Sequence, residues 1–109
     1  MKEGGDVQFG RFRHRGLKAL HDGDNAKGVP GAMADKLRKL LFALETADSL
    51  DQVGRFPGWK LHPLKGDLKG FWSLTVSGNW RLIFTYDEKT NTADDIGLID
   101  YHSGGARCR

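Results

Sequence analysis

At 109 residues with 39% hydrophobic content, the chain is long enough for one buried core and too short for a separate binding module. Its 17 Lys and Arg against 14 Asp and Glu leave a modest net charge of +3, and no run of about 18 or more apolar residues exists to span a membrane. The single Cys108 rules out an intrachain disulfide, and Met1 to Gly16 lacks the apolar run of a secretory signal, so the expected compartment is the reducing cytoplasm.

In chain order, Met1 to Asp6 is polar and Gly-rich, and Val7-Gln8-Phe9 is expected to begin a short edge strand. Residues 1–8 are therefore expected to form a loose extension to a single domain covering 1–109. Arg13 to Asp22 places Leu17, Leu20 and His21 at helical spacing, with Gly23-Asp24-Asn25 as the stop and Arg11, Arg13, Arg15 and Lys18 near its start and exposed side. Met33, Leu37, Leu40, Leu41 and Leu44 then recur at steps of three and four, predicting a helix from Pro30-Gly31 to about Ala47. Its opposite face carries Asp35, Lys36, Arg38 and Lys39.

Beyond the breakers Gly54, Pro57 and Gly58 the period changes to two. Trp59 to His62 reads as a strand halted by Pro63, Phe71 to Val76 and Trp80 to Tyr86 as a hairpin, and Ile96 to Tyr101 as a last strand beyond an acidic turn region, Asp87 to Asp95. If the hairpin loop is the odd Ser77-Gly78-Asn79, Val76 faces Trp80, Leu74 faces Leu82 and Trp72 faces Phe84. One face is then uniformly apolar and Arg81 opposes Thr75 on the other. An even loop would pair Leu74 with Arg81 and strand a charge among buried groups.

Charge is blocked along the chain. From Arg55 to Tyr86 stand Arg55, Lys60, Lys65, Lys69 and Arg81 with only Asp67 opposing, whereas Asp87 to Asp100 holds Asp87, Glu88, Asp94, Asp95 and Asp100 against Lys89. A basic block of this kind suits a local polyanion site such as RNA. His14, His21, His62, His102 and Cys108 show no ligand pair at zinc spacing, so no metal or other cofactor is expected.

RNA cleavage through the ribose 2′-hydroxyl needs a base, an acid for the departing 5′-oxygen, and cations to stabilise charge growing on phosphorus. With an unperturbed pKa of about 6.5, a histidine serves either proton transfer near neutral pH, which makes His62 and His102 the candidates. Lys65 and Arg81 supply permanent charge, Asp100 an orienting carboxylate, and Tyr101 a donor or a stacking ring. Taken singly, each residue has an ordinary reading as surface histidine, turn lysine or apolar anchor. Their co-occurrence on sheet ends carries the catalytic reading.

The string His62-Pro63-Leu64-Lys65-Gly66-Asp67, the stretch Trp72-Ser73 through Val76, Asn79-Trp80-Arg81 and the ending Asp100-Tyr101-His102 resemble the HigB toxins of bacterial toxin-antitoxin systems. Arg15-Gly16-Leu17 and Lys36 to Ala47 fit the same pattern, so the resemblance spans about Phe9 to His102. It implies a RelE-like α+β fold, with two N-terminal helices packed on one face of a small, largely antiparallel sheet of four to five strands. It further implies an endoribonuclease that cuts mRNA in the A site of the 70S ribosome, and a HigA-type helix-turn-helix antitoxin as partner, with contact to DNA only through that antitoxin. The family's functional set falls on His62, Lys65, Arg81, Asp100, Tyr101 and His102, and Lys60, Lys69, Lys36, Arg38 and Lys39 are expected to contact RNA by charge. Ser103 to Arg109 continues past the usual end as an expected loose basic tail. A non-catalytic member of the fold, acting only by binding RNA or antitoxin, is the alternative, and a ribonuclease independent of the ribosome is a third.

Overall fold

The Met and Leu stripe of the second predicted helix meets the apolar rows of the hairpin, and this contact organises the molecule. The computed structural model describes residues 7–102 and 105–108. In chain order the elements are β1 (Gln8–Phe9), α1 (Arg15–Gly23), α2 (Ala34–Thr46), α3 (Leu50–Val53), β2 (His62–Pro63), β3 (Phe71–Ser77), β4 (Trp80–Asp87), β5 (Thr92–His102) and β6 (Gly105–Cys108). Short 3-10 turns occupy Gly31–Met33 and Gly66–Leu68. The sheet runs β1-β5-β4-β3-β2, with β1 parallel to β5 and the other pairs antiparallel. β6 pairs with the far end of β5, on the edge that β1 shares. Among the described residues no helix is long and apolar enough to cross a membrane.

α1 starts where His14 caps it: its Nδ1 accepts from the Leu17 N–H at 3.1 Å, satisfying one of the orphan donors of the first turn. Gly16 in that turn lies so close to the backbone of Gly28 that a Cβ there would come within 2.1 Å of the Gly28 carbonyl oxygen. Only two facing glycines let the loop before α2 cross the helix start at this distance. Leu37, Leu40, Leu41 and Leu44 of α2 are buried against Leu74, Val76, Leu82, Phe84, Ile96 and Leu98 of the sheet. Each such side chain contributes roughly 1.5–3 kcal/mol on leaving water.

Four expectations change. The hairpin loop holds two residues, Gly78 and Asn79, with Ser77 rather than Val76 paired to Trp80. A β-bulge between Thr75 and Ser77 takes up the extra residue, so Trp72–Phe84, Leu74–Leu82 and Thr75–Arg81 pair in the expected register. Gly78 adopts a φ of +54°, which it alone among residues takes without a Cβ clash. Second, Trp59 to His62 is not one strand, because Lys60 turns at φ +50°. Pairing begins at His62 and includes Pro63, tolerated because β2 is an edge.

Third, β5 begins at Thr92 and not at Ile96. A second bulge, with Asp95 at φ +50°, inserts one residue and brings both Ala93 and Ile96 to the core, so the acidic stretch is strand at its end and not turn throughout. Fourth, the tail expected to be loose contributes Gly105–Cys108 as β6, because the edge of β5 beyond β1 offers unpaired backbone groups to a returning segment. At the other terminus the chain joins the core at the buried Val7, while Met1 to Asp6, Ser103, Gly104 and Arg109 lie outside the described residues. α3 was not anticipated: its four residues are too few to show a period, and the burial of Leu50 and Val53 fixes it.

Candidate active site on the open face of the sheet

The alternation of side chains sorts the sheet into two faces. Leu74, Leu82 and Leu98 lie in one cross-strand row under the helices. The intervening rows, Ser73–Ile83–Gly97 and Thr75–Arg81–Ile99, belong to the face without helices. That face has its own small apolar floor of Leu64, Ile83 and Ile99, flanked by Leu68 and Phe71.

His62 pairs with Ser73 and so heads the first of these rows, while Arg81 stands in the next. With strands about 4.8 Å apart and about 3.3 Å of rise per residue, their Cα atoms, two strands and two residues apart, are separated by about 12 Å. Both residues thus stand on one face, on strands either side of β3. His62 is exposed, and its Nδ1 lies 3.0 Å from the Lys60 carbonyl oxygen and 3.4 Å from Ser73 Oγ. A carbonyl only accepts, so the contact with Lys60 calls for a proton on Nδ1, and in the neutral ring the lone pair is then on Nε2. The left-handed turn at Lys60, uncommon for a residue with a long side chain, aims that carbonyl.

Arg81 is half-buried, and its Nη1 donates to the carbonyl oxygens of Gly78 at 2.7 Å and Trp80 at 3.0 Å. These bonds pin the guanidinium to the β3–β4 turn and leave the other side of the fork for an anion. Lys65 is exposed just beyond Leu64, whose N–H bonds to the Phe71 carbonyl at 2.8 Å, so it stands at the margin of the same floor. Lys60 and Lys69 are exposed on the two loops that bracket β2.

The remaining expected residues divide. Asp100 is paired with Trp80 and shares the parity of Leu98, so it lies at the same end of the sheet as Arg81 but in a row of the helix-covered side. Tyr101 and His102 continue β5, in register with Ala106 and Gly105, and their side chains lie outside the described residues. Lys36, Arg38 and Lys39 ride on α2, across the sheet from His62. Arg38 is held by Asp24 at 2.7 Å and Asp35 at 2.8 Å, Lys36 lies 5.7 Å from the centre of the Trp59 ring, and Lys39 is exposed.

Two features went unread in the sequence. Ser73 is fully buried with its hydroxyl beside His62, and a small polar residue sharing the open-face parity of Thr75 was the available signal. The acidic block is also spent locally: Asp95 binds Arg11 at 2.8 Å, and Asp94 accepts from the backbone N–H groups of Arg11 and Asp95. Acids that looked like a counterweight to the basic block therefore serve the β1–β5 junction.

A YafQ mutant from E. coli shares the architecture at a TM-score of 0.50 and 22% identity, over 84% of this chain and 90% of that one. The YoeB–YefM complex from Staphylococcus aureus aligns at 0.49 and 20% identity, over 88% and 97%. The likeness to YafQ is one of fold, an α+β arrangement with helices on one face of a mostly antiparallel sheet. Residues 10–102 match the model of the RelE-like toxin HigB of type II toxin-antitoxin systems. The chain is also 43% identical over 91 residues to Endoribonuclease HigB of Proteus vulgaris, covering 84% of this chain and 96% of that protein. It belongs to the HigB toxin family.

Proposed function

We propose that this toxin is an endoribonuclease that cuts mRNA in the ribosomal A site and so stops translation, using the open face of the sheet as its active site. The observation that carries the reading is the placement of His62 and Arg81 in adjacent register rows of one face, over an apolar floor. Identity of 43% to a named endoribonuclease over nearly its whole length supports the activity.

In this mechanism Nε2 of His62 takes the 2′-hydroxyl proton, and the 2′-oxygen attacks phosphorus as the bond to the 5′-oxygen breaks. A 2′,3′-cyclic phosphate and a 5′-hydroxyl result. Arg81 and Lys65 stabilise the negative charge that grows on the phosphoryl oxygens. His102 donates the proton to the departing 5′-oxygen and Tyr101 acts beside it at the end of β5, whereas Asp100, in a row of the helix-covered side, takes no part in the proton transfers. The proton bookkeeping closes on side chains alone, without a cofactor. The partner is a HigA-type helix-turn-helix antitoxin, and the site of action is the cytoplasm, where mRNA is translated.

The test is to map mRNA 5′ ends after adding purified toxin to translating and to ribosome-free reactions. New 5′ ends only on translated mRNA, absent with His62→Ala, are expected. Intact mRNA with translation blocked would instead establish a non-catalytic binder, and equal cutting of naked RNA a ribosome-independent nuclease.

A further inference from the structure

Arg13 lies outside the set that sequence reasoning assembled, yet the fold carries it onto the same face. Its N–H donates to the Ile96 carbonyl at 2.7 Å, just after the parallel bridge of Phe12 to Ile96. Phe12 packs into the helix-side core, so its neighbour belongs to the other side. The Arg13 Cβ lies 3.8 Å from where a Cβ on Gly97 would stand, in the Ser73–Ile83–Gly97 row that His62 heads. From there the side chain crosses the floor until Cζ is 5.5 Å from the centre of the Phe71 ring.

Its surroundings set Arg13 apart from its neighbours in sequence. Arg11 is tied to Asp95 and Lys18 to Asp22, whereas Arg13 and Arg15 are exposed with no carboxylate partner among the described residues, and of these two Arg13 is the one seated over an aromatic ring. The Phe71 ring attracts the cation and restricts it without neutralising it, and no group among the described residues takes up its guanidinium N–H donors. Rows on one face of a strand are about 6.6 Å apart, so Arg81, His62 and the Phe71 ring that seats Arg13 form three successive steps along the sheet. That step is on the scale of one extended nucleotide. A phosphate held between Arg81 and His62 therefore has its neighbour within reach of the third cation.

We propose that Arg13, seated on Phe71, binds the phosphate next to the scissile one and sets how the mRNA strand lies across the open face. This rests on the assignment of that face as the active site. Arg13 is a binding residue and takes no part in the proton transfers.

The experiment measures cleavage kinetics of a synthetic mRNA in the A site of programmed 70S ribosomes, over a range of salt, with Arg13→Ala, Arg13→Lys, Arg81→Ala and His62→Ala. Arg13→Ala should raise KM about tenfold, with a smaller effect on kcat, and lower the slope of log KM against log salt by about one. Arg13→Lys, which keeps the charge and loses the fork, should retain the wild-type salt slope with an intermediate KM. A wild-type KM and salt slope in Arg13→Ala, while Arg81→Ala is inactive, would overturn the role of Arg13 alone. Full activity in both Arg81→Ala and His62→Ala would overturn the active-site assignment and this inference with it. Circular dichroism melting separates these results from misfolding, since an exposed arginine should be removable with the melting temperature unchanged.

Discussion

The two faces of the sheet are made from the same strands yet obey opposite rules. On the helix side, Leu74, Leu82, Phe84 and Leu98 are fully or almost fully buried beneath α1 and α2, and any polar group there would lose its water without a partner. On the open side a narrow floor of Leu64, Ile83 and Ile99 is buried together with Ser73 and Gly97, and around it stand His62, Arg81, Lys65 and Arg13. Successive residues of one strand therefore have unlike surroundings: Arg81 faces the open side and Leu82 the core. The contrast teaches that the proposed active site is not a pocket cut into the protein but the side of a sheet that the helices do not cover. Cations can crowd there because water screens their repulsion.

Substitutions along β4 break this comparison most directly. Phe84→Ala empties the core side and should cost about 3–5 kcal/mol in chemical denaturation. Arg81→Ala, three residues away, should leave the denaturation midpoint nearly in place while lowering cleavage roughly 100- to 1000-fold. A mutant pair in which both changes unfold the protein, or both spare cleavage, would erase the distinction between the faces.

Gly16→Ala probes the helix side at its tightest point. The new Cβ has no room against the Gly28 carbonyl, so α1 and the loop must part, at a cost of about 1–3 kcal/mol. An unchanged melting temperature would show that this contact yields freely.

The smallest expected effect is a pH dependence written into α1. Burial holds the His14 imidazole below its ordinary pKa, and only the neutral ring can accept from Leu17. The unfolded chain then takes up a proton more readily, so the contribution of His14 is complete above about pH 6.5 and is lost as pH falls through the lowered value. His21 behaves in the opposite sense. Burial opposes its charge, but hydrogen bonds and attraction from Asp22 and Glu45 outweigh that and raise its pKa. Its contribution is complete below about pH 6.5 and is lost as pH rises through the raised value. The destabilisation caused by His14→Ala, on the order of 1 kcal/mol as for other helix caps, should therefore shrink in acid, and that of His21→Ala should shrink in base. Denaturant titrations at pH 5.5 and 8 distinguish the two.

The sequence alone determined a good deal of this. The three- and four-residue steps of Leu37 to Leu44 locate α2, and the apolar alternation of β3 and β4 forces Arg81 away from the helices. Both follow because a helix or strand repeats its side-chain directions at a fixed local period. What only the tertiary structure decided has the opposite character. The two bulges depend on how one strand meets its neighbour, and the turn at Lys60 that orients His62 appears in no composition rule. Asp94 and Asp95 find Arg11 across more than eighty residues of chain. The seating of Arg13 on Phe71 likewise joins residues that no local pattern relates. Periodicity reads what a segment does by itself, and a site assembled from an edge strand, a hairpin and a helix-leading loop exists only once those segments pack.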